Sequence, residues 1–219
     1  MELIVATGNR GKLKEIKAVL DGLNVSVQSV TETFPDFDPE ETGETFLDNA
    51  VLKALAAFER VGKGVVADDS GLCVVGLGLE PGVRSARYAG DDADDDQRMD
   101  FLLHKMEDMN GQDRVAWFAC RLVAILPLKG ADLIEGVEFV EVPGLGDPFV
   151  AVTTEGRLMG RIGHEKRGEH GFGYDPVFLP DPFPGVSLAE VPLADKNKVS
   201  HRGVAFRRFR EFLESTRLP

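Results

Sequence analysis

Short apolar runs and helical spacings follow one another along the first part of the chain. Residues 3–6 and 64–67 are continuous apolar runs, which indicate buried strands. After the first run, Leu13, Ile16 and Leu20 lie at helical spacing, and Asp21-Gly22 ends that helix. This pattern is typical of an α/β protein.

Further elements are predicted along the rest of the chain. Thr45 and Asp48 form a capping box that opens a helix running to about Arg60. A helix is expected after the acidic cluster at residues 91–96, since carboxylates favour a helix N-terminus, whereas the cluster lacks the glycine and distal glutamate of a calcium loop. The predicted strands cover residues 25–27, 115–126, 136–142 and 149–153, with a turn at 155–156 before a further strand at 157–162.

Composition narrows the class of protein. The 219 residues are 43% hydrophobic and 28% charged, enough for one domain over residues 1–219 with a substantial core. A net charge of −12 argues against a nucleic-acid-binding surface, yet it allows a nucleotide substrate beside a metal ion. Cys73 and Cys120 lie in apolar runs and are predicted to be reduced core residues. With neither a signal peptide nor a membrane span in its sequence pattern, the chain is expected in the cytoplasm.

The first candidate site is Asp68-Asp69-Ser70, at the predicted end of the strand from residue 64 to 67. Open α/β sheets bind ligands beyond the carboxyl ends of their strands, and side chains alternate along a strand. We therefore expect one aspartate to face a crevice and the other to brace the loop. Carboxylate oxygens suit magnesium. The alternative is a simple Asx turn before Gly71.

Two stretches supply cations near this strand. Thr7 to Lys12 forms a glycine loop between a strand and a helix, where backbone N–H groups favour phosphate, although its spacing is not that of a Walker A loop. Thr45, Asn49 and Lys53 lie at steps of four on the next helix, just after Glu40-Glu41. A plain strand-to-helix turn and a solvated helix face are the respective alternatives.

Two later stretches have the chemistry of a base site. In the segment from Gly168 to Pro176, glycines flank Phe172 and expose its ring for stacking, while Asp175 offers an acceptor. Core packing is the alternative for Phe172 and Tyr174. The segment from Lys196 to Gly203 is predicted to open the C-terminal helix, where cations oppose the helix dipole, so an anionic or carbonyl-bearing ligand would explain them.

The four stretches together resemble the inosine/xanthosine triphosphate pyrophosphatase family. The motifs are T-G-N-R-G-K, E-E-T-G-E-T-F-x-x-N-A-x-x-K, A-D-D-S-G-L with P-G-V-x-S-A-R-Y, and G-F-G-Y-D-P followed by K-x-x-x-S-H-R. The resemblance implies an elongated mixed α/β fold with two lobes around a nucleotide cleft, usually in a homodimer. It also implies magnesium-dependent hydrolysis of ITP, dITP and XTP to the monophosphate and pyrophosphate.

The same resemblance assigns roles to individual residues. Triphosphate binding falls to Thr7, Gly8, Asn9, Arg10, Gly11, Lys12 and Lys53. Magnesium would be held by Glu41 and Asp69, with Asp69 also the proposed base and Lys53 counted with it as catalytic. The nucleotide would be surrounded by Ser70, Phe172, Gly173, Tyr174, Asp175, Lys196, His201 and Arg202. The segment from Asp132 to Thr154 is longer than the family pattern, and His170 receives no role.

Three other functions remain open at this point. They are a pyrophosphatase acting on modified pyrimidine triphosphates, a non-catalytic nucleotide-binding regulator, and an acidic interaction protein with a vestigial cleft. Product analysis with ITP separates them from the family activity.

Overall fold

The fold is a mixed α/β arrangement, described for residues 1–128 and 132–216 of a computed structural model. The strands are β1 (Glu2–Val5), β2 (Ser26–Ser29), β3 (Gly64–Val74), β4 (Val115–Leu126), β5 (Val137–Phe139), β6 (Val150–Ile162) and β7 (Phe178–Pro180). The helices are α1 (Arg10–Val19), α2 (Phe46–Val61), α3 (Asp95–Lys105), α4 (Leu193–Val199) and α5 (His201–Ser215). Over these residues the strands form one seven-stranded sheet in the order β2-β1-β3-β4-β6-β5, with β7 paired to β6.

The sheet combines parallel and antiparallel pairs. β1 lies parallel to both β2 and β3, with Val5 opposite Ser29 on one side and Val66 on the other. β5 and β7 each pair antiparallel with β6. The expected mixed α/β class is therefore confirmed.

The chain divides into two compact units. Unit 1 comprises the described residues of Met1–Asp69, Cys120–Gly156 and Gly203–Pro219, and unit 2 comprises Ser70–Ala119 and Arg157–Arg202. None of the described helices has the length and apolar character needed to cross a membrane.

Unit 1 buries both faces of β1, which explains why its sequence is a continuous apolar run. Leu3 and Val5 pack in a cluster with apolar side chains of α1 and α5. Ile4 packs on the other face, in a second cluster that includes Ala50 and Ala54 of α2. The Asp132 to Thr154 segment contributes to both clusters, and its residue Phe149 makes an edge contact with Phe58 of α2 at 4.7 Å between ring centroids.

Unit 2 has a separate core in which α3 packs with the ends of β3, β4 and β6 that belong to this unit. Its fully buried members include Leu72, Leu102, Val177 and Phe178. Phe118 and Phe178 make a tilted ring contact at 4.7 Å within this core. Aromatic packing of this kind supplies much of the apolar area buried in a small core.

Two predicted strand ends are wrong. β3 continues from Gly64 to Val74, so Asp68 and Asp69 lie in the middle of a strand rather than at its end. β6 likewise continues through residues 155–156, where a turn was expected. In both places a charged residue was taken to mark the end of a strand. The strand continues because the charge has a partner, and Glu155, for example, forms an ion pair with Arg121 of β4 at 2.6 Å.

The helix boundaries also differ from the prediction at two sites. α1 begins at Arg10, with Asn9 as its N-cap, so Gly11 and Lys12 belong to its first turn. The predicted C-terminal helix is two helices, because Ser200 between α4 and α5 is extended. Lys196 therefore lies in the last turn of α4, where the dipole favours a cation, and the argument that the dipole opposes it is wrong.

Other predicted helix signals are confirmed. The capping box of Thr45 and Asp48 opens α2, and left-handed Gly62 ends it. Asp94 caps α3, with Asp95 and Asp96 in its first turn, as expected for carboxylates beside the helix dipole.

Both cysteines are buried thiols, as predicted. Burial raises the pKa of Cys73 to about 11, although Arg157 opposes the shift. A thiol with this pKa is about 0.1% ionised at pH 8, and the thiolate is the reactive form.

We expect the folded protein to react slowly with a thiol-specific aromatic disulfide at pH 8 and to release two equivalents once unfolded. Absorbance of the released thiolate measures both stages. Rapid labelling of one equivalent in the folded state would contradict the burial of Cys73 and Cys120.

Candidate active site

A buried ion pair between Lys53 and Asp69 forms the centre of the candidate site in unit 1. The Nζ of Lys53 donates to Oδ1 of Asp69 at 2.8 Å and to Oε1 of Glu41 at 2.9 Å. The Nδ2 of Asn49 donates to Oδ2 of Asp69 at 3.3 Å. Lys53, Asp69 and Asn49 are all buried, whereas Glu41 is half-buried. The two carboxylates therefore face one shared position, which is filled by the ammonium group.

Helix α2 and the loop before it bring these groups together. Asn49 and Lys53 are one helical turn apart, so they lie on the same face of α2. The backbone N–H of Gly43 donates to Oδ1 of Asn49 at 2.8 Å, and a Cβ at Gly43 would lie 2.6 Å from the Asp48 side chain. Only glycine permits this approach, which holds the Glu41 loop against the start of α2.

Asn49 was not among the predicted site residues, although it lies on the recognised polar stripe of α2. Its side chain donates to Asp69 and accepts from Gly43, so it joins the carboxylate to the loop. The spacing of four residues between Thr45, Asn49 and Lys53 was the sequence signal that could have identified Asn49 as a site residue.

Asp68 forms a second ion pair next to the first. The Nζ of Lys12 donates to Oδ2 of Asp68 at 3.2 Å, and the carboxylate is buried. Successive side chains of a strand point to opposite faces, which accounts for Asp68 and Asp69 contacting different lysines. The parallel ladder of β1 and β3 ends at Val66, so both carboxylates follow the end of β1, as the crevice rule expects.

The Thr7 to Lys12 segment is anchored at both ends. Oγ1 of Thr7 accepts from the N–H of Asn9 at 3.1 Å, and Oδ1 of Asn9 accepts from the N–H of Lys12 at 3.0 Å. Ser29 donates to the carbonyl of Thr7 at 2.5 Å. Between these contacts Gly8, Arg10 and Gly11 are exposed at the start of α1, the geometry of an anion site.

The electrostatics of this cluster are unbalanced. Burial would lower the pKa of Lys53, but the charges of Asp69, Asp68 and Glu41 outweigh it and raise that pKa. Burial raises the pKa of Asp69 despite its attraction to Lys53. Two lysines thus face three carboxylates, so the cluster is short of one positive charge.

The residues present fit a magnesium ion. Glu41 and Asp69 converge on one cation, and carboxylate oxygens are the ligands that magnesium prefers. Among the described residues no group of three or more His, Cys, Asp or Glu side chains could hold a metal alone. A magnesium ion here would therefore need oxygens from the substrate, the usual arrangement with phosphates.

The base-site candidates lie in unit 2, on the loop around Phe172. Residue Phe172 is 45% exposed, and Nζ of Lys196 and Cζ of Arg202, both buried residues, lie 4.9 Å and 5.9 Å from its ring centroid. Oδ2 of Asp175 accepts from Nζ of Lys196 at 2.5 Å and from the N–H of Phe172 at 2.9 Å. An exposed aromatic ring with two cations beside it is a suitable stacking surface for a base.

Two glycines fix the course of this loop. Gly171 has a φ of +88°, and a Cβ there would lie 2.1 Å from Oδ2 of Asp175. Gly173 has a φ of +62°, and its N–H donates to Oδ2 of Asp95 at 2.7 Å. Asp95 was predicted only as a helix-dipole residue, and the sequence carries no local signal for its contact with Gly173, 78 positions away.

Several predicted base residues are turned into the protein. Asp175 is buried by its contacts with the loop and Lys196, so it positions the loop rather than presenting an open acceptor. Tyr174 is a core residue whose hydroxyl donates to the carbonyl of Ser85 at 2.9 Å. His201 is buried with its ring stacked on Phe118 at 4.9 Å.

The predicted residues thus gather in two groups. Lys12, Glu41, Lys53 and Asp69 belong to the cluster in unit 1, together with the Thr7 segment. Phe172 with its neighbours Asp175, Lys196 and Arg202 forms the group in unit 2. Ser70, directly after Asp69 in β3, is half-buried, and the side chain of His170 is exposed. The roles assigned to all these residues stay predictions.

The fold and the two groups define a mixed α/β protein with a lysine–carboxylate centre suited to phosphates and a glycine loop suited to a flat ring. The chain belongs to the Ham1 family, whose model matches residues 3–212. It is 39% identical over 214 residues to the dITP/XTP pyrophosphatase of Bacillus subtilis, covering 98% of each chain.

A second relative and a solved structure also place the chain in this family. The dITP/XTP pyrophosphatase of Geobacillus kaustophilus is 41% identical over 212 residues, 96% of this chain and 93% of its own. The structure of a HAM1 protein from Coxiella burnetii superposes with a TM-score of 0.81 at 35% identity, over 99% of this chain and 100% of that one. The family resemblance of the four motifs is therefore confirmed.

Asp95 provides a test of how the Phe172 loop is held. Burial opposes ionisation of Asp95, but the Gly173 N–H and Arg98 outweigh it and lower its pKa below the ordinary 3.8. An aspartate with a lowered native pKa stabilises the fold above its ordinary pKa, and this contribution disappears as the pH falls through the native pKa.

We expect Asp95→Asn to reduce the free energy of unfolding at pH 7 by roughly 0.5–1 kcal/mol, a small value because the carboxylate is partly exposed. The deficit should vanish at a pH below the native pKa. Urea unfolding at several pH values measures it. An unchanged free energy of unfolding at pH 7 would contradict the contact with Gly173.

Proposed function

We propose that the chain hydrolyses the non-standard purine nucleoside triphosphates ITP, dITP and XTP to the monophosphate and pyrophosphate, with magnesium as cofactor. The observation that carries the proposal is the buried centre in which Lys53 joins Asp69 and Glu41, beside the Lys12–Asp68 pair. The names of the relatives, dITP/XTP pyrophosphatase, support dITP and XTP as substrates of this chain.

The reaction has to overcome charge repulsion. Water must attack the α-phosphorus of a polyanionic substrate, so positive charge on the phosphate chain lowers the barrier most. In this proposal Lys12, the backbone N–H groups of residues 8–11 and Lys53 bind the triphosphate. Lys12 lies partly exposed at the start of α1, which suits a cation that moves from Asp68 to a phosphate.

Magnesium would be held by Glu41 and Asp69 together with phosphate oxygens. When bound, it supplies the positive charge that the cluster lacks and neutralises the leaving pyrophosphate. Asp69 is also the proposed group that positions the attacking water and accepts its proton. Asn49 keeps the Asp69 carboxylate oriented through its 3.3 Å hydrogen bond.

Base selection is assigned to the Phe172 loop and the cations beside it. Hypoxanthine and xanthine carry a carbonyl at C6, where adenine carries an amino group. A donor aimed at that position is left unpaired by adenine, and such a mismatch is worth up to about 10⁴-fold. We assign this contact to the donors Lys196, His201 and Arg202, of which Lys196 and Arg202 lie beside the Phe172 ring. Guanine shares the C6 carbonyl, so its rejection must come from its 2-amino group.

The two units are proposed to act as one pyrophosphatase domain over residues 1–219, since phosphate and base residues lie in different units. A homodimer and a cytoplasmic location are proposed from the family resemblance, with no nucleic-acid or membrane partner. The acidic net charge of −12 agrees with a small-molecule substrate.

The activity is tested with a panel of triphosphates and with the products identified. We expect ITP and XTP to yield the monophosphate and pyrophosphate, strongly preferred over ATP and less strongly over GTP, and we expect EDTA to abolish turnover. Release of inorganic phosphate alone would indicate another hydrolase. Binding without turnover would indicate a regulator, and preference for modified pyrimidines would overturn the purine assignment.

Asp69→Asn should lower kcat by about 10²–10⁴-fold, the range for loss of a positioned acid or base. Steady-state rates with ITP at saturating magnesium measure this effect. Asp68→Asn is the matched control, because it removes the neighbouring carboxylate that pairs with Lys12, and we expect a smaller loss. Thermal unfolding of both variants checks that they fold, and turnover of Asp69→Asn within a few-fold of wild type would exclude its role.

A further inference from the structure

A pocket of about 370 Å³ in unit 2 is lined by an unusual set of arginines. It lies beside the short 3₁₀ turn Gly111–Arg114 before β4 and the loop that follows β6. Arg114, Arg161 and Arg167 line it together with His164 and Glu165. In the part of the chain that the structure describes, none of the residues proposed for phosphate, metal or base binding is among its lining residues.

Arg114 is the central observation because its charge is buried without a counter-charge. The residue is only 4% exposed. Its guanidinium donates to the carbonyls of Met106 at 3.4 Å and Gly163 at 3.2 Å, and its Nε has no hydrogen-bond partner. Among residues 1–128 and 132–216, no carboxylate lies within ion-pair distance of it.

A buried charge of this kind is costly unless it is paired. Burial lowers the pKa of Arg114, but an arginine stays protonated at neutral pH. The cost therefore remains in the folded protein. A bound anion is the simplest way to remove it.

Among the other charged lining residues, Arg161 is the second unpaired cation within the described chain. Arg161 is exposed, and its one hydrogen-bond partner among the described residues is the carbonyl of Gly111, at 3.2 Å. Arg167 is already paired with Glu190 at 3.3 Å, so it adds little net charge. Glu165 is the one carboxylate lining the pocket within the described chain, and the structure shows no ion pair between it and these arginines.

We propose that this pocket is a binding site for a small phosphate-bearing anion, with Arg114 and Arg161 as its principal ligands. Guanidinium groups match phosphate oxygens with paired donors. The volume exceeds that of a phosphate group, and Ile162 and Leu179 give the remainder an apolar lining. The ligand is therefore either free phosphate or the phosphate group of a small ester.

Titration calorimetry with inorganic phosphate, at constant ionic strength, tests the site. We expect wild type to bind phosphate and Arg161→Gln to bind it at least about tenfold more weakly, as for loss of a charge-assisted hydrogen bond. Arg60→Gln is the matched control, since it removes the same charge from α2 in unit 1. Lys12→Ala separates the pocket from the proposed triphosphate site and should leave this binding intact.

Three results would overturn the proposal. They are no phosphate binding by wild type, equal affinity in wild type and Arg161→Gln, and loss of binding in Lys12→Ala alone. Arg114→Gln gives a second measurement, because phosphate should raise the Tm of wild type and not that of this variant. If Arg114→Gln does not fold, the Arg161→Gln comparison decides.

Tighter binding of ribose 5-phosphate than of phosphate would identify an ester, and equal binding would identify free phosphate.

Discussion

The buried ion pair of Asp69 and Lys53 is the interaction on which unit 1 depends. Each partner is largely withdrawn from water, so loss of Lys53 leaves a buried carboxylate without its cation and costs about 3–5 kcal/mol. The pair also fixes α2 against β3, because Lys53 and Asn49 both reach Asp69 from that helix. Lys53 and Asn49 also hold the loop that carries Glu41, through hydrogen bonds to Glu41 and Gly43. The contacts that stabilise this part of the fold are therefore made by the same residues that are proposed for the chemistry.

The charges within the protein are distributed in a way that its net charge does not show. The cluster around Asp69 has one carboxylate more than it has lysines, which leaves room for a divalent cation and its phosphates. The pocket around Arg114 has the opposite imbalance. A net charge of −12 therefore coexists with two clusters of opposite local charge.

Structural features that depend on contacts between residues close in sequence could be predicted from the sequence. The capping box of Thr45 and Asp48 correctly opened α2, because both partners are three residues apart. The course of β3 through Asp68 and Asp69 was missed, because it depends on lysines 56 and 16 positions away that neutralise the carboxylates. A single sequence pattern cannot show such pairs. The contact of Asp95 with Gly173 was missed for the same reason.

A second buried lysine–aspartate pair organises the base-site group in the same way. Asp175 binds Lys196 and also accepts from the N–H of Phe172, as Asp69 binds Lys53 and accepts from Asn49. Asp175 accepts both bonds at Oδ2, whereas Asp69 accepts from Lys53 at Oδ1 and from Asn49 at Oδ2. Gly171 has to lie within contact distance of Asp175, so the loop can adopt this course only with glycine there. The exposed Phe172, the proposed base surface, is thus positioned by a buried charge pair between Asp175 and Lys196.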